Sequence, residues 1–117
     1  MKLIFVYNAK SGKLNALFDI AHKIVKPETY QCSLCSLTHD ALSEKKAWSD
    51  FKVRTMLELE FLHKDEFEKQ YEQTRSYPVI LEDSKPLRVL IGPEELGTFE
   101  NVEALIQRIE ELAASGK

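Results

Sequence analysis

Apolar and polar positions along the chain fall into runs with two different periods. Leu3-Ile4-Phe5-Val6-Tyr7 is a continuous β-branched and aromatic run that stops at Asn8, the pattern of a strand buried on both faces and followed by a turn. Leu14, Leu17, Phe18, Ala21, Ile24 and Val25 then recur at helical spacing. They predict a first helix beginning near Gly12 and ending before Pro27. From Pro27 to Thr38 no period is visible, and the stretch reads as a loop, with room for a short helical turn, that contains Cys32-Ser33-Leu34-Cys35. Thr38 or Asp40 is placed to cap a second helix running through Lys52, with Ala41, Leu42, Trp48 and Phe51 as its sparse apolar face.

Leu57, Leu59 and Phe61 alternate with Glu58 and Glu60, which predicts a second strand with acids toward water. Asp65 to Glu72 reads as a short polar helix with Phe67 and Tyr71 on one side. Two short strands follow, Val79 to Leu81 and Leu87 to Ile91, joined by Glu82-Asp83-Ser84-Lys85-Pro86 as an antiparallel hairpin. A closing helix presents Val102, Leu105, Ile106, Ile109 and Leu112, with Asn101 or Thr98 available as its cap. Without an internal repeat or a linker, residues 1–117 read as a single α/β domain.

Composition narrows what such a domain does. Hydrophobic residues make up 44% and charged residues 30% of 117 residues, enough apolar surface for one core. A formal net charge of -3 argues against holding nucleic acid, because counterion release needs a field of Lys and Arg. The apolar run Leu3 to Tyr7 is far short of the roughly 20 residues a membrane helix needs, and no small-residue cleavage site follows it. The expected setting is therefore the cytoplasm, with neither membrane nor nucleic acid as partner. Two cysteines in such a chain point to free thiols, a metal site or a redox pair.

The order of elements is strand, helix, helix, strand, helix, hairpin, helix, with Tyr77-Pro78-Val79-Ile80-Leu81 opening the hairpin. In this the chain resembles the thioredoxin-like superfamily, where a strand-helix-strand half precedes a strand-strand-helix half and a cis-proline opens the third strand. The resemblance implies a central mixed sheet of about four strands with helices on both faces, and a cis bond before Pro78. Redox-active members carry Cys-x-x-Cys directly after the first strand, a position that here reads Lys10-Ser11-Gly12-Lys13. The two cysteines of this chain follow the first helix instead.

Two places carry candidate chemistry. Cys32 and Cys35 have the spacing to form a small disulfide ring, with Cys32 attacking and Cys35 resolving in exchange with a protein or small-thiol partner near Pro78. The same spacing suits two small side chains packing a loop, in which case the domain is a non-enzymatic binding module with structural cysteines and no cofactor. It also suits a metal: Cys32, Cys35 and His39 make a three-ligand arc for zinc or another transition metal, and His22 or His63 is available as a fourth ligand. The second place is the strand-to-helix turn Ser11-Gly12-Lys13, where N–H groups and lysines converge as an anion would require. No Gly stands five residues before Gly12-Lys13, so the nucleotide-binding P-loop is incomplete, and Ser11 serves equally as a helix cap with Gly12 easing the turn.

Overall fold

The computed structural model describes residues 1–12, 21, 32–39 and 43–115. The helix expected between Gly12 and Pro27, and with it Lys13 and His22, lies outside the described residues apart from Ala21.

The described residues fold as an α/β structure on a four-stranded mixed sheet. Strand β1 (Lys2–Tyr7) is flanked by β2 (Glu58–His63) and β3 (Val79–Glu82), and β4 (Arg88–Ile91) pairs with β3, giving the order β2-β1-β3-β4. β1 and β2 run parallel, in register from Lys2↔Glu58 to Tyr7↔His63. β1 and β3 are antiparallel, from Leu3↔Glu82 to Val6↔Val79, and β3 and β4 form the expected hairpin. A strand paired on both edges and covered on both faces must be apolar throughout, which is why Leu3, Ile4, Phe5 and Val6 are all buried.

Alternation then sorts the side chains into two cores. On one face Leu3, Phe5, Ile80 and Ile91 pack with Cys32, Leu34 and Leu37, with Trp48 and Phe51, and with Leu105 and Ile109. These come from helix α1 (Ser33–Thr38), helix α2 (Lys46–Arg54) and the last helix, α5 (Val102–Ser115), the short helix α4 (Pro93–Leu96) adding Leu96. On the other face Ile4, Val6, Val79 and Leu81 are covered by Phe67 of helix α3 (Lys64–Tyr71). Helices thus stand on both faces of the sheet. Among the described residues no helix is long and apolar enough to cross a membrane.

One expectation is made specific and two change. The stretch around the cysteines, where it is described, takes up the short helical turn for which the loop reading has room: Ser33–Thr38 is helical, with Cys32 at its N-cap. Leu34 and Leu37 are buried, and this single i, i+3 pair folds the turn against the sheet, too short a repeat for a period to show in sequence. Second, Thr38 does not cap the helix through Lys52. Its hydroxyl donates back to Leu34 O at 2.9 Å, which engages it at the end of α1, and α2 begins only at Lys46, with no side-chain cap at Lys45. Asp40, Ala41 and Leu42 lie outside the described residues. Third, β2 continues past Phe61 to His63, where α3 starts without a loop.

The remaining boundaries follow local chemistry. Asn101 Oδ1 accepts from the Ala104 N–H at 2.9 Å, the bond of an N-cap to its third helical residue. The His63 N–H donates to Glu66 Oε1 at 2.8 Å, closing a capping box that starts α3. The Tyr77–Pro78 bond is cis, and so is Lys85–Pro86 within the hairpin connection.

Candidate functional site

Cys32 and Cys35 are joined as a disulfide across a sequence separation of three. The helix start arranges this: Cys32 Sγ takes the place of a capping oxygen and accepts the Cys35 N–H at 3.3 Å. The two sulfurs differ in environment. Cys32 belongs to the core beneath α1 and is 1% exposed, whereas Cys35 is half-buried at the margin of that core.

One turn further on, His39 ends the same helix, its N–H donating to Cys35 O at 2.9 Å. Its ring Nδ1 lies 2.7 Å from Thr38 Oγ1. Its Nε2 faces Glu44 Oε2 at 3.8 Å, and that carboxylate is in turn paired with Lys52 Nζ at 2.6 Å. The ring also stands edge-on to Tyr7, with centroids 6.4 Å apart. Burial pushes the Tyr7 phenol up to about 12, with the hydrogen-bond contact to Thr38 opposing and the Glu44 charge adding to the rise, so it is protonated at neutral pH.

These positions bear on the metal arc. Sulfurs bonded to each other are not thiolate ligands. His39 is engaged by Thr38 and Glu44, and His63 places its Nδ1 2.8 Å from Glu66 Oε1. Among the described residues no group of three or more His, Cys, Asp or Glu side chains is placed to hold a metal ion, and His22 lies outside them.

Pro78 is buried and enters the sheet at the carboxyl end of β1: Val79, which follows it, pairs with Val6, which precedes Tyr7. Tyr7 links this end of the sheet to the cysteine helix through His39, and it is paired with His63 on its other side. The structure therefore gathers Pro78, Tyr7, His63 and the His39 end of α1 at the end of the sheet where β1 finishes, while the disulfide occupies the first turn of α1.

At the same end of the sheet the turn after β1 has an anion on it already, the chain's own. The Ser11 N–H donates to Asp65 Oδ1 at 2.8 Å and the Ser11 hydroxyl to Oδ2 at 2.5 Å. Gly12 adopts a φ of 108°, open to a residue without a Cβ. The Lys64 N–H donates to Ala9 O at 3.1 Å and Lys64 Nζ to Asn8 Oδ1 at 3.2 Å. Ser11 thus ties the β1 turn to the start of α3. The partner Asp65 is not evident from the sequence, where it reads only as the start of a short polar helix. The available signal was an acid in the first turn of a helix that directly follows a strand.

Those hydrogen bonds carry a pH dependence. The two bonds from Ser11, the side-chain one foremost, hold the Asp65 carboxyl below the usual carboxylate range, and the backbone and ring of His63 do the same for Glu66. Burial raises Glu60, but hydrogen bonds from Tyr71 and Gln70 and the nearby Lys2 outweigh it and leave Glu60 lowered too. A carboxyl whose folded pKa lies below its unfolded one adds stability above the unfolded value and loses it as pH falls through the folded value. The urea midpoint is therefore expected to hold steady near neutrality and to fall below about pH 4, and the fall should be shallower in Asp65→Asn. Equal slopes in wild type and variant would mean that the Ser11 contact contributes nothing.

Comparison of the chain with protein-family models, with curated proteins and with solved structures finds no match.

Proposed function

We propose that this chain is a thioredoxin-like thiol–disulfide redox protein of the cytoplasm, whose Cys32–Cys35 pair cycles between disulfide and dithiol with a protein or small-thiol partner. The observation that carries the reading is the disulfide itself, formed across one helical turn with an N–H donor on one of its sulfurs. A bond between residues so close in sequence is a poor staple. In the chain-entropy picture a loop of this size is worth only about 2 kcal/mol, so the pair is better suited to opening and closing than to holding the fold. The mixed four-stranded sheet with helices on both faces and the cis bond ahead of β3 support the thioredoxin-like part of the reading, since that resemblance implies such a sheet and a cis-proline at this point.

The exchange balances without any further group. A partner dithiol gives up two electrons and two protons and becomes a disulfide, while Cys32 and Cys35 take them up as two thiols. The reverse reaction oxidises the pair at the expense of a partner disulfide.

The test is equilibration of the purified protein across a series of glutathione to glutathione-disulfide ratios, with acid quenching and alkylation of free thiols. Two thiols are expected to appear together over a narrow range of ratios. The reduced protein should also reduce a glutathionylated peptide faster than a Cys32→Ser/Cys35→Ser double variant does. A pair that stays oxidised or reduced across the whole series, or a rate equal to that of the double variant, would remove the redox assignment.

A further inference from the structure

We infer that exchange with outside thiols runs through Cys35, and that Cys32 is the inner sulfur that leaves and returns. This rests on the redox reading above and reverses the order expected from the sequence, in which Cys32 attacks. Two independent features of the site carry it.

The first is access. Thiol–disulfide exchange needs the incoming sulfur in line with the bond it breaks, so the attacked sulfur must be reachable from solvent. Cys32 is 1% exposed and packed in the same core as Leu34, Trp48 and Phe51, whereas Cys35 is half-buried at the margin of that core beside the exposed Ser36.

The second is the hydrogen bond. The Cys35 N–H donates to Cys32 Sγ at 3.3 Å. A donor on a sulfur steadies the negative charge that sulfur takes up as the bond breaks, and so makes it the better leaving group. Both features point the same way: Cys35 is the sulfur that is reached, and Cys32 is the sulfur that departs with its charge already met by a donor.

The steps follow. A partner thiolate attacks Cys35 Sγ and forms a mixed disulfide there. The bond to Cys32 breaks, and its electron pair stays on Cys32 as a thiolate facing the Cys35 N–H. A second partner thiol then attacks the partner's own sulfur, leaves as the partner disulfide and frees the Cys35 thiolate, which takes a proton from solvent. Run backward, the Cys35 thiolate attacks a partner disulfide, and Cys32 attacks Cys35 Sγ to expel the partner thiol. The covalent intermediate sits on Cys35 in either direction.

The experiment uses glutathione disulfide as the probe on the full chain. Cys32→Ser is expected to accumulate one stable glutathione adduct on Cys35, and Cys35→Ser to acquire one at least about tenfold more slowly. Reduced wild-type protein, treated briefly with limiting iodoacetamide and mapped by fragment-ion mass spectrometry, should carry the label on Cys35 before Cys32. This second measurement needs no variant to fold. Label first or equally on Cys32, or an adduct on Cys35→Ser at the rate seen with Cys32→Ser, would overturn the assignment while leaving the redox function intact if the wild type still cycles. A wild type that does not cycle with glutathione at all would overturn both.

Discussion

Phe67→Ala is expected to lower the stability of the protein by about 3–5 kcal/mol, the range for removing a buried aromatic side chain and leaving its space unfilled. Phe67 is fully buried and is the buried residue through which α3 meets the sheet. Beneath it lie Ile4, Val6, Val79 and Leu81, which make up with it the buried cluster on that face among the described residues. Its ring stacks on Tyr71 at 5.1 Å and meets Tyr77 edge-on at 6.2 Å, and Tyr77 OH donates to Glu68 Oε2 at 2.9 Å, so the helix is tied to the segment that leads into Pro78.

A domain of this class has about 5–15 kcal/mol of stability in all, so the variant should show a much reduced urea midpoint. Phe67→Leu, which keeps most of the volume, should cost roughly 1 kcal/mol. Because α3 also carries Asp65, the partner of Ser11, loosening the helix should release the β1 turn. A Phe67→Ala protein within about 1 kcal/mol of wild type would mean that α3 does not cover this face.

The elements that could be read from the sequence are those whose evidence is local. Leu3 to Tyr7 announces a doubly covered strand because every position is apolar, and burial on both faces demands that. The closing helix is legible because Val102, Leu105, Ile106 and Ile109 repeat at its period, and all four are buried. The hairpin is legible because two short apolar runs flank a connection of turn residues. By contrast, nothing local says that β2 lies parallel beside β1, since that pairing is set by side chains far apart in sequence. With it went the Ser11–Asp65 contact, whose partners are 54 positions apart.

Helix α1 is legible only as the short helical turn for which the stretch from Pro27 to Thr38 has room. Six residues with one buried Leu pair are fewer than two turns, so period and noise look alike. The state of the cysteines was beyond reach in another sense: the spacing Cys-x-x-Cys is equally compatible with a ring, an ion or two packed thiols, and which holds depends on what surrounds the sulfurs. Here the Cys35 N–H and the core beneath Cys32 supply that surrounding.

Reduction of the disulfide is expected to lower stability by about 2 kcal/mol and to leave the protein folded. The figure follows from loop closure: the bond joins residues at a separation of three, and in the chain-entropy picture so short a loop restrains the unfolded chain little. What holds α1 in place survives reduction, namely the burial of Leu34 and Leu37 in the core. Trp48, the one tryptophan of the chain, offers the readout. It is fully buried in the cluster that contains Cys32, set between Phe5 and Phe51, and its Nε1 has no hydrogen-bond partner among the described residues. Urea titrations followed by Trp48 emission, with and without dithiothreitol, should give parallel transitions with the reduced midpoint lower. Native emission of the reduced protein should stay that of a buried indole. Emission moving to that of a solvated indole on reduction, before any urea, would mean that the disulfide holds this face of the core together, which would favour a structural over a cycling pair.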